Sequence, residues 1–230
     1  MKLALFLNFI ILFFTASSAV AQPQPIISTI KEYKNSTKIN NKNKIINLQK
    51  IIPTIMLDLK YNTPNNYTKR NLYRSASTTY LRKDAAAALL GVQEYLKNMN
   101  FGLKVFDAYR PYSITKLMWT IIHDERYVAN PVYGSGHNRG ISVDLTIIDI
   151  STLKELDMGT AFDNFTDSAH HTFTKNFSPA IILNRTLLKS TMEKFGFQNL
   201  ETEWWHYSWK SNEKYDVMDI DFKTLKKKIK

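Results

Sequence analysis

Cysteine is absent from this 230-residue sequence. Its absence excludes disulfides, thiolate metal ligands and a cysteine nucleophile, so any metal ion must be held by histidine, aspartate or glutamate. Internal repeats are also lacking. The most apolar stretch, residues 3–15, is too short to be a comfortable membrane span.

The first residues instead have the pattern of a secretory signal peptide. Lys2 supplies the positive start, residues 3–15 supply the apolar region, and Ala19 and Ala21 offer small residues before cleavage at Gln22. We predict that residues 1–21 are removed and that the mature protein is exported, to the periplasm or, as the alternative, by secretion. A retained N-terminal anchor is the less favoured interpretation, so we expect no stable membrane insertion after cleavage.

Acidic residues are outnumbered, 20 against 31 lysines and arginines, which gives a formal net charge of +11. A basic balance is compatible with nucleic-acid binding, with attraction to an anionic envelope surface, or simply with solubility. Export argues against nucleic acid as a partner. We favour plain solubility over an envelope surface as the explanation of the charge.

The composition predicts one domain with a sizeable core, since 44% of residues are hydrophobic and 13% aromatic. Residues 22–48 are polar and rich in Lys, Asn and Ser, so we expect a poorly ordered lead-in. Residues 49–222 form the predicted main domain. Residues 223–230 form a basic tail, expected to be solvated or frayed and only secondarily an anchor for anionic surfaces.

Helices and short strands mix without regular alternation, which predicts an α+β fold. Apolar spacing predicts a helix over residues 84–100, and Ser113 is a candidate cap for a second helix over 114–123. The remaining predictions are a helix over 181–195 closed by Gly196, extended segments over 51–61, 103–106 and 197–209, and a long loop over 157–178.

Residues 135–144 carry the first half of a predicted metal site. His137 precedes Gly140 and Asp144 follows it, and glycine permits the sharp turn that would let the imidazole and the carboxylate converge. After the glycine, apolar and polar residues alternate, which predicts a half-buried strand with Asp144 on its polar face. A nitrogen and an oxygen ligand suit zinc, but a third ligand is needed.

Residues 203–206 offer that third ligand as His206. Three protein ligands leave the fourth position of a tetrahedral zinc open for water, as a catalytic site requires. Glu203 is placed to act as general base on a zinc-activated water. On a regular strand Glu203 and His206 would face opposite sides, so we predict a turn or bulge between them. Trp204 and Trp205 would wall the site, or one of them would simply pack in the core.

Arg110, pinned by Pro111 at the end of a predicted strand, adds a fixed positive charge. Its planar fork can hold a developing oxyanion or a substrate carboxylate. The alternative is a surface salt bridge with no role in the chemistry.

Together these stretches resemble the D-alanyl-D-alanine dipeptidase family of zinc peptidases. The resemblance rests on three motifs in the family's order, residues 107–111 (Asp-Ala-Tyr-Arg-Pro), 135–144 (Ser-x-His-x-x-Gly-x-x-x-Asp) and 203–206 (Glu-Trp-Trp-His). Residues 58–61 and 157–163 also resemble family segments. The resemblance implies a single compact α+β domain with a central antiparallel sheet.

The resemblance also implies a role for each motif residue. It makes His137, Asp144 and His206 ligands of one Zn²⁺ ion. It makes Glu203 the general base that later passes a proton to the leaving amine, and Arg110 the group that stabilises the tetrahedral intermediate. In the substrate pocket, the residues implied are Ser135 at the C-terminal end of the substrate, and Asp163 and Tyr61 at its free amino group.

The expected activity is therefore zinc-dependent hydrolysis of the dipeptide D-Ala-D-Ala. One alternative is a D,D-carboxypeptidase that trims longer cell-wall peptides, and another is a non-catalytic zinc-containing module that binds wall peptides. The presence of Glu203 argues against the binding module, because binding needs no general base. The sequence leaves open the oligomeric state and the choice between dipeptide and longer substrates.

Overall fold

A computed structural model describes residues 25–74 and 76–229. The predicted signal peptide, residues 1–21, lies outside the described residues, as do residues 22–24 of the lead-in and Lys230 of the tail. No helix within the described ranges is both long enough and apolar enough to cross a membrane.

The described residues combine short strands, a few longer strands and helices of varied length. The strands are β1 (Ile26–Ile27), β2 (Ile45–Asn47), β3 (Met56–Leu57), β4 (Tyr80–Arg82), β5 (Phe101–Asp107), β6 (Ser142–Asp149), β7 (Phe197–Leu200), β8 (Glu203–Trp209) and β9 (Val217–Met218). The helices are α1 (Ile30–Ile39), α2 (Leu48–Ile51), α3 (Lys83–Lys97), α4 (Tyr112–Trp119), α5 (Gly136–Arg139), α6 (Pro179–Lys194) and α7 (Phe222–Lys228).

The main sheet has the strand order β3-β5-β6-β8-β7. Its pairs β5–β6, β6–β8 and β8–β7 are antiparallel, but the edge strand β3 runs parallel to β5. The predicted class of mixed helices and strands is confirmed, whereas the prediction of a purely antiparallel central sheet is wrong. The reason is the long connection from β3 to β5, which contains α3 and lets the chain return in the same direction.

Helices α3 and α6 pack on one face of this sheet. Leu89 and Val92 of α3 and Leu188 of α6 share a buried cluster with Val143 and Leu145 of β6. The predicted helix over 84–100 is confirmed, although it ends at Lys97, and the predicted third helix also forms. The long loop over residues 157–178 forms as predicted, with only a short 3-10 turn at Asp167–Ala169.

Strand β6 is buried on both faces, so the prediction of a half-buried strand is wrong. The apolar face packs in the core, and the polar face, with Ser142, Asp144 and Thr146, is also buried. Ser142 Oγ lies 2.6 Å from Ser208 Oγ of the neighbouring strand β8. The polar alternation marks an internal site rather than a solvent face.

Residues 25–48 are ordered, which corrects the expectation of a poorly ordered lead-in over residues 22–48 for the part that the structure describes. Thr29 and Glu32 form a capping box at the start of α1, and β1 pairs with β9. Tyr33 is buried, and its hydroxyl accepts a hydrogen bond from the Ile45 backbone N–H at 3.0 Å. A few buried side chains and a capped helix therefore order a segment whose average composition is polar.

The C-terminal tail is helical rather than frayed. Asp221 caps α7 by accepting from the Thr224 N–H at 2.8 Å, and Phe222 and Leu225 are buried. The lysines of α7 occupy its other faces. The prediction of a solvated end holds for those side chains but is wrong for the backbone.

The second predicted helix is shorter and shifted. Helix α4 spans Tyr112–Trp119 with Pro111 at its N-cap position. Ser113 lies inside the helix, where its hydroxyl donates to Asp219 Oδ1 at 2.7 Å. The proposed cap at Ser113 is therefore wrong, because Pro111, with its fixed φ, begins the helix two residues earlier.

The buried guanidinium of Arg82 ties together three distant segments. It donates to the backbone carbonyls of Asn43, of Arg139 at 2.7 Å and of Asp216 at 3.1 Å. The Arg82 backbone N–H also donates to the Gly140 carbonyl at 2.7 Å. The N-terminal segment, helix α5 and the segment before β9 thus share one anchor.

Candidate active site

Strand register places a carboxylate and an imidazole side by side. Asp144 of β6 lies directly opposite His206 of β8, and opposite Asp107 of β5 on its other side. Because directly opposed residues on neighbouring strands project to the same face, the side chains of Asp144 and His206 meet. Two residues that are 62 positions apart in sequence become neighbours in this way.

Helix α5 brings in the third member of the cluster, His137. Ser135 caps this one-turn helix by accepting from the Asn138 N–H at 3.0 Å, and Asn138 Oδ1 in turn accepts from the Ser135 N–H at 3.0 Å. Gly140 then ends the helix with a left-handed φ of 71°. The sharp turn predicted at Gly140 is confirmed, with His137 before the turn and Asp144 after it.

Three ligand atoms converge at one point. His137 Nε2 lies 3.2 Å from His206 Nδ1 and 3.4 Å from Asp144 Oδ1, and His206 Nδ1 lies 2.9 Å from Asp144 Oδ1. Nitrogen and oxygen ligands at usual zinc bond lengths sit about 3.3 Å apart at the corners of a tetrahedron. The donor set and its spacing therefore fit a tetrahedral metal with one corner left for another ligand.

The remaining ring nitrogens are held by hydrogen-bond partners. His137 Nδ1 lies 2.7 Å from the Ala108 carbonyl, which leaves the lone pair of Nε2 free to face the cluster. His206 Nε2 lies 3.3 Å from Ser208 Oγ. Burial lowers the pKa of His206, against the opposing effect of Asp144, so its imidazole stays neutral and able to bind a metal.

Asp144 is ionised in this setting. Burial by itself would raise its pKa, but His137 and His206 outweigh burial and leave the pKa below its usual range. The buried negative charge of Asp144, flanked by two imidazoles, is one that a divalent cation would neutralise.

Arg110 is buried beside this cluster. Its Nε lies 2.9 Å from Asp107 Oδ2, and one terminal nitrogen lies 3.8 Å from Asp144 Oδ2. Asp107 is in turn bonded by the Tyr73 hydroxyl at 2.8 Å. The salt bridge is internal, so the alternative of a surface salt bridge for Arg110 is wrong, and the cation is aimed at the site.

Glu203 reaches the cluster through the predicted irregularity. The pairing of β7 with β8 shifts register between Asn199 and Leu200, and Glu203 Oε2 lies 4.0 Å from His206 Nδ1. Both Glu203 and His206 therefore face the same cavity. Burial, reinforced by Asp144 and Asp163, raises the pKa of Glu203 well above its usual range, which makes its carboxylate a strong proton acceptor.

Asp163 and Tyr61 form a second polar end of the cavity. Asp163 Oδ1 accepts from the Tyr61 hydroxyl at 3.0 Å, and Oδ2 accepts from the Tyr67 backbone N–H at 3.2 Å. Burial raises the pKa of Asp163 to about 7, partly opposed by these hydrogen bonds. The Arg110 guanidinium lies 5.1 Å from the Tyr61 ring, so the cation and this carboxylate share one small space.

The cavity has a volume of about 270 Å³, which is small beside the usual 300–1,000 Å³ or so of ligand pockets. Its lining includes every residue predicted for the site: Tyr61, Arg110, Ser135, His137, Asp144, Asp163, Glu203 and His206. Trp205 also lines it, whereas Trp204 packs in the core and donates to Thr160 Oγ1 at 2.8 Å. One tryptophan walls the site and the other does not.

Other histidines lie elsewhere. His123 packs against the Trp119 ring at 5.2 Å, and His171 borders a separate small cavity beside Arg185. His170 also lies outside the lining of the active-site cavity. The cluster of possible metal ligands among the described residues comprises His137, Asp144 and His206 alone.

Sequence reasoning missed several contributors. Ser208, which contacts His206, lies two residues after it on β8, so both side chains project from the same face of the strand. That spacing was a usable signal in the sequence. Tyr67 and Phe165 line the cavity from irregular segments, where no periodicity marks them. The Ala108 carbonyl is a backbone group, and no sequence signal identifies it.

Known proteins resemble this chain to different degrees. The family described as D-ala-D-ala dipeptidase (Peptidase M15) matches residues 41–224. The D-alanyl-D-alanine dipeptidase of Escherichia coli K12 is 32% identical over 179 residues, covering 78% of this chain and 91% of that protein. The D-alanyl-D-alanine dipeptidase of Enterococcus faecalis V583 is 29% identical over 184 residues, covering 72% and 91% respectively.

Among solved structures, that of an LD-carboxypeptidase aligns with 60% of this chain and 64% of its own, at 21% identity and a TM-score of 0.38. That likeness is too distant to bear on function.

Proposed function

The chain belongs to the D-Ala-D-Ala dipeptidase family of metallopeptidases, and from this premise we propose that it hydrolyses D-Ala-D-Ala to two molecules of D-alanine with one bound Zn²⁺. The observation that carries the proposal is the convergence of His137, Asp144 and His206 at tetrahedral spacing, with Glu203 and Arg110 beside them.

Zinc held by the three ligands would supply a polarised water that is a good nucleophile near neutral pH. Glu203 accepts a proton from the attacking water as the water oxygen bonds to the carbonyl carbon. It then gives that proton to the nitrogen as the carbon–nitrogen bond breaks and the amine leaves. Its buried position and raised pKa suit a group that must first take and then return a proton.

Arg110 stabilises the carbonyl oxygen as it becomes negative. Its guanidinium is held in place by Asp107, so little reorganisation is needed when charge develops. Burial would lower the pKa of Arg110, but Asp107 outweighs burial, so the side chain remains cationic.

The two ends of the cavity match the two ends of a dipeptide. Asp163, supported by Tyr61, offers a carboxylate to the substrate amino group. Ser135, which lines the cavity and also caps α5, would bind the C-terminal end of the substrate. A cavity of about 270 Å³ favours a dipeptide over a longer peptide, and a D,D-carboxypeptidase acting on wall peptides is the alternative.

The test is D-alanine release by the zinc-loaded protein from D-Ala-D-Ala and, in parallel, from a wall pentapeptide ending in D-Ala-D-Ala. We expect cleavage of the dipeptide alone. Cleavage of the pentapeptide would instead support the carboxypeptidase, and cleavage of neither would support the binding module.

Glu203→Gln tests the mechanism within the same assay. Loss of the general base should lower kcat by about 10²–10⁴-fold, while zinc content, measured by elemental analysis, stays at one ion per chain. Activity that survives both Glu203→Gln and removal of the metal would refute the mechanism.

A further inference from the structure

The hydroxyl of Tyr67 is buried and has no hydrogen-bond partner within residues 25–74 and 76–229. Other buried hydroxyls share that property, including those of Tyr80 and Tyr207, but Tyr67 is the one among them that lines the active-site cavity. A buried donor without a partner is unfavourable, so its place beside a ligand cavity suggests that the ligand supplies the partner.

The Tyr67 ring is held on several sides. Its backbone N–H is bonded to Asp163 Oδ2 at 3.2 Å. The ring packs edge-on against Tyr61, with centroids 6.3 Å apart, and against Phe165, with centroids 5.2 Å apart. These contacts fix the ring, so the hydroxyl cannot swing away to find another partner.

The hydroxyl acts as a donor. Burial raises the pKa of Tyr67, and Asp163 and Glu203 reinforce the rise while Arg110 opposes it. The phenol therefore keeps its proton at neutral pH. In the proposed function Asp163 binds the substrate amine, which is itself a donor, so the matching group for Tyr67 is an acceptor oxygen of the substrate.

We propose that the Tyr67 hydroxyl donates a hydrogen bond to the carbonyl oxygen of the scissile peptide bond. As water adds to the carbonyl carbon, the carbon–oxygen π pair moves onto that oxygen, and Tyr67 shares its stabilisation with Arg110 while retaining its own proton. Tyr67 is then a catalytic residue that lines the same cavity as the Arg110 guanidinium. This inference rests on the proposed function.

Two features support the carbonyl oxygen as the partner. Tyr67 and Arg110 both contact the ring of Tyr61, so both reach the same part of the cavity. A donor that lacks a partner in the free enzyme and gains one as charge develops stabilises the transition state more than the ground state.

The experiment compares Tyr67→Phe with the wild type on D-Ala-D-Ala, using zinc-loaded full-length protein. Phenylalanine preserves the ring and removes only the hydroxyl. We expect kcat and kcat/KM to fall together by about 10–100-fold with KM within about twofold. Tyr80→Phe, which removes another buried unpaired hydroxyl that does not line the cavity, should leave both constants within about twofold.

Thermal unfolding and zinc content separate this role from a structural one. Both variants should bind one zinc ion and unfold at or above the wild-type temperature, because neither loses a protein hydrogen bond.

A kcat of Tyr67→Phe within twofold of the wild type would overturn the inference while leaving the proposed function standing. A rise in KM with unchanged kcat would also overturn it, because the hydroxyl would then serve ground-state binding. A wild type that is inactive on D-Ala-D-Ala would overturn the proposed function itself.

Discussion

At the scale of single residues, the site concentrates ionisable groups that water would otherwise solvate. Asp144 and Glu203 are buried and Asp163 is half-buried in one cavity, with Arg110 as the neighbouring cation. Burial and mutual repulsion raise the pKa values of Asp163 and Glu203. Placing ionisable groups in a functional cavity in this way lowers the stability of the folded state.

The pKa of Asp163 makes this cost measurable. The folded-state pKa of about 7 lies above the usual unfolded value of about 3.9. The stabilising contribution of the protonated group is therefore complete below about pH 4 and is lost as the pH rises toward 7. Asp163→Asn mimics the protonated form and should escape that loss.

We expect Asp163→Asn to gain unfolding free energy relative to the wild type by up to about 3 kcal/mol between pH 5 and pH 8. Urea unfolding at the two pH values measures the difference. The same variant should raise KM for D-Ala-D-Ala, since the amine loses its carboxylate. An equal stability difference at both pH values would contradict the assigned shift.

At the scale of elements, the site depends on the close approach of α5 to β6. Gly136 lies at the start of α5, and a Cβ atom there would overlap the Ser142 side chain of β6. Ser142 in turn bonds Ser208, which holds His206. Because Gly136 has no side chain, α5 can contact β6 closely, and that contact sets the distance from His137 to His206.

Gly136→Ala should therefore push α5 outward. We expect a loss of about 1–3 kcal/mol of unfolding free energy and a fall in zinc affinity of about 10–100-fold, measured by chelator competition. Gly102→Ala is the matched control, because a Cβ there would meet side-chain atoms at 3.3–3.5 Å, and it should leave zinc affinity unchanged. Unchanged zinc affinity in Gly136→Ala would show that the close approach of α5 to β6 does not determine zinc binding.

At the scale of the whole molecule, the N-terminal segment is an integral part of the domain. Strand β1 pairs with β9, and α1 contacts α7. Ile27 and Tyr33 are buried in the cluster that also contains Met218 and Phe222. The family match begins at residue 41, so the side chains with which this segment covers the cluster lie outside the matched region.

A form of the protein that begins at residue 41 should be less stable than a form that begins at residue 22. Loss of the buried Ile27 and Tyr33 side chains predicts a cost of about 3 kcal/mol or more, which lowers the Tm by at least about 6 °C for a chain of this size. Differential scanning calorimetry measures the shift. Ile39→Ser, which alters an exposed side chain of the same helix, should leave the Tm unchanged, and an unchanged Tm in the deletion would contradict the prediction.

The sequence by itself marked the candidate ligands, general base and cation of the site. His137, Asp144, His206, Glu203 and Arg110 stand out because residue types suited to metal binding and proton transfer lie at short offsets around a glycine and in predicted strands. Periodicity likewise identified α3, α6 and the strands β5 and β6, since helix and strand repeats are local properties of the chain.

Only the tertiary structure decided what surrounds those motifs. The parallel edge strand β3 and the order in residues 25–48 depend on contacts with segments far along the chain, which local composition does not register. The same holds for Tyr67, whose place in the cavity follows from Asp163 and Phe165 rather than from its own neighbours. Burial and the closeness of other charges also set the pKa values, and both exist only once the chain is folded.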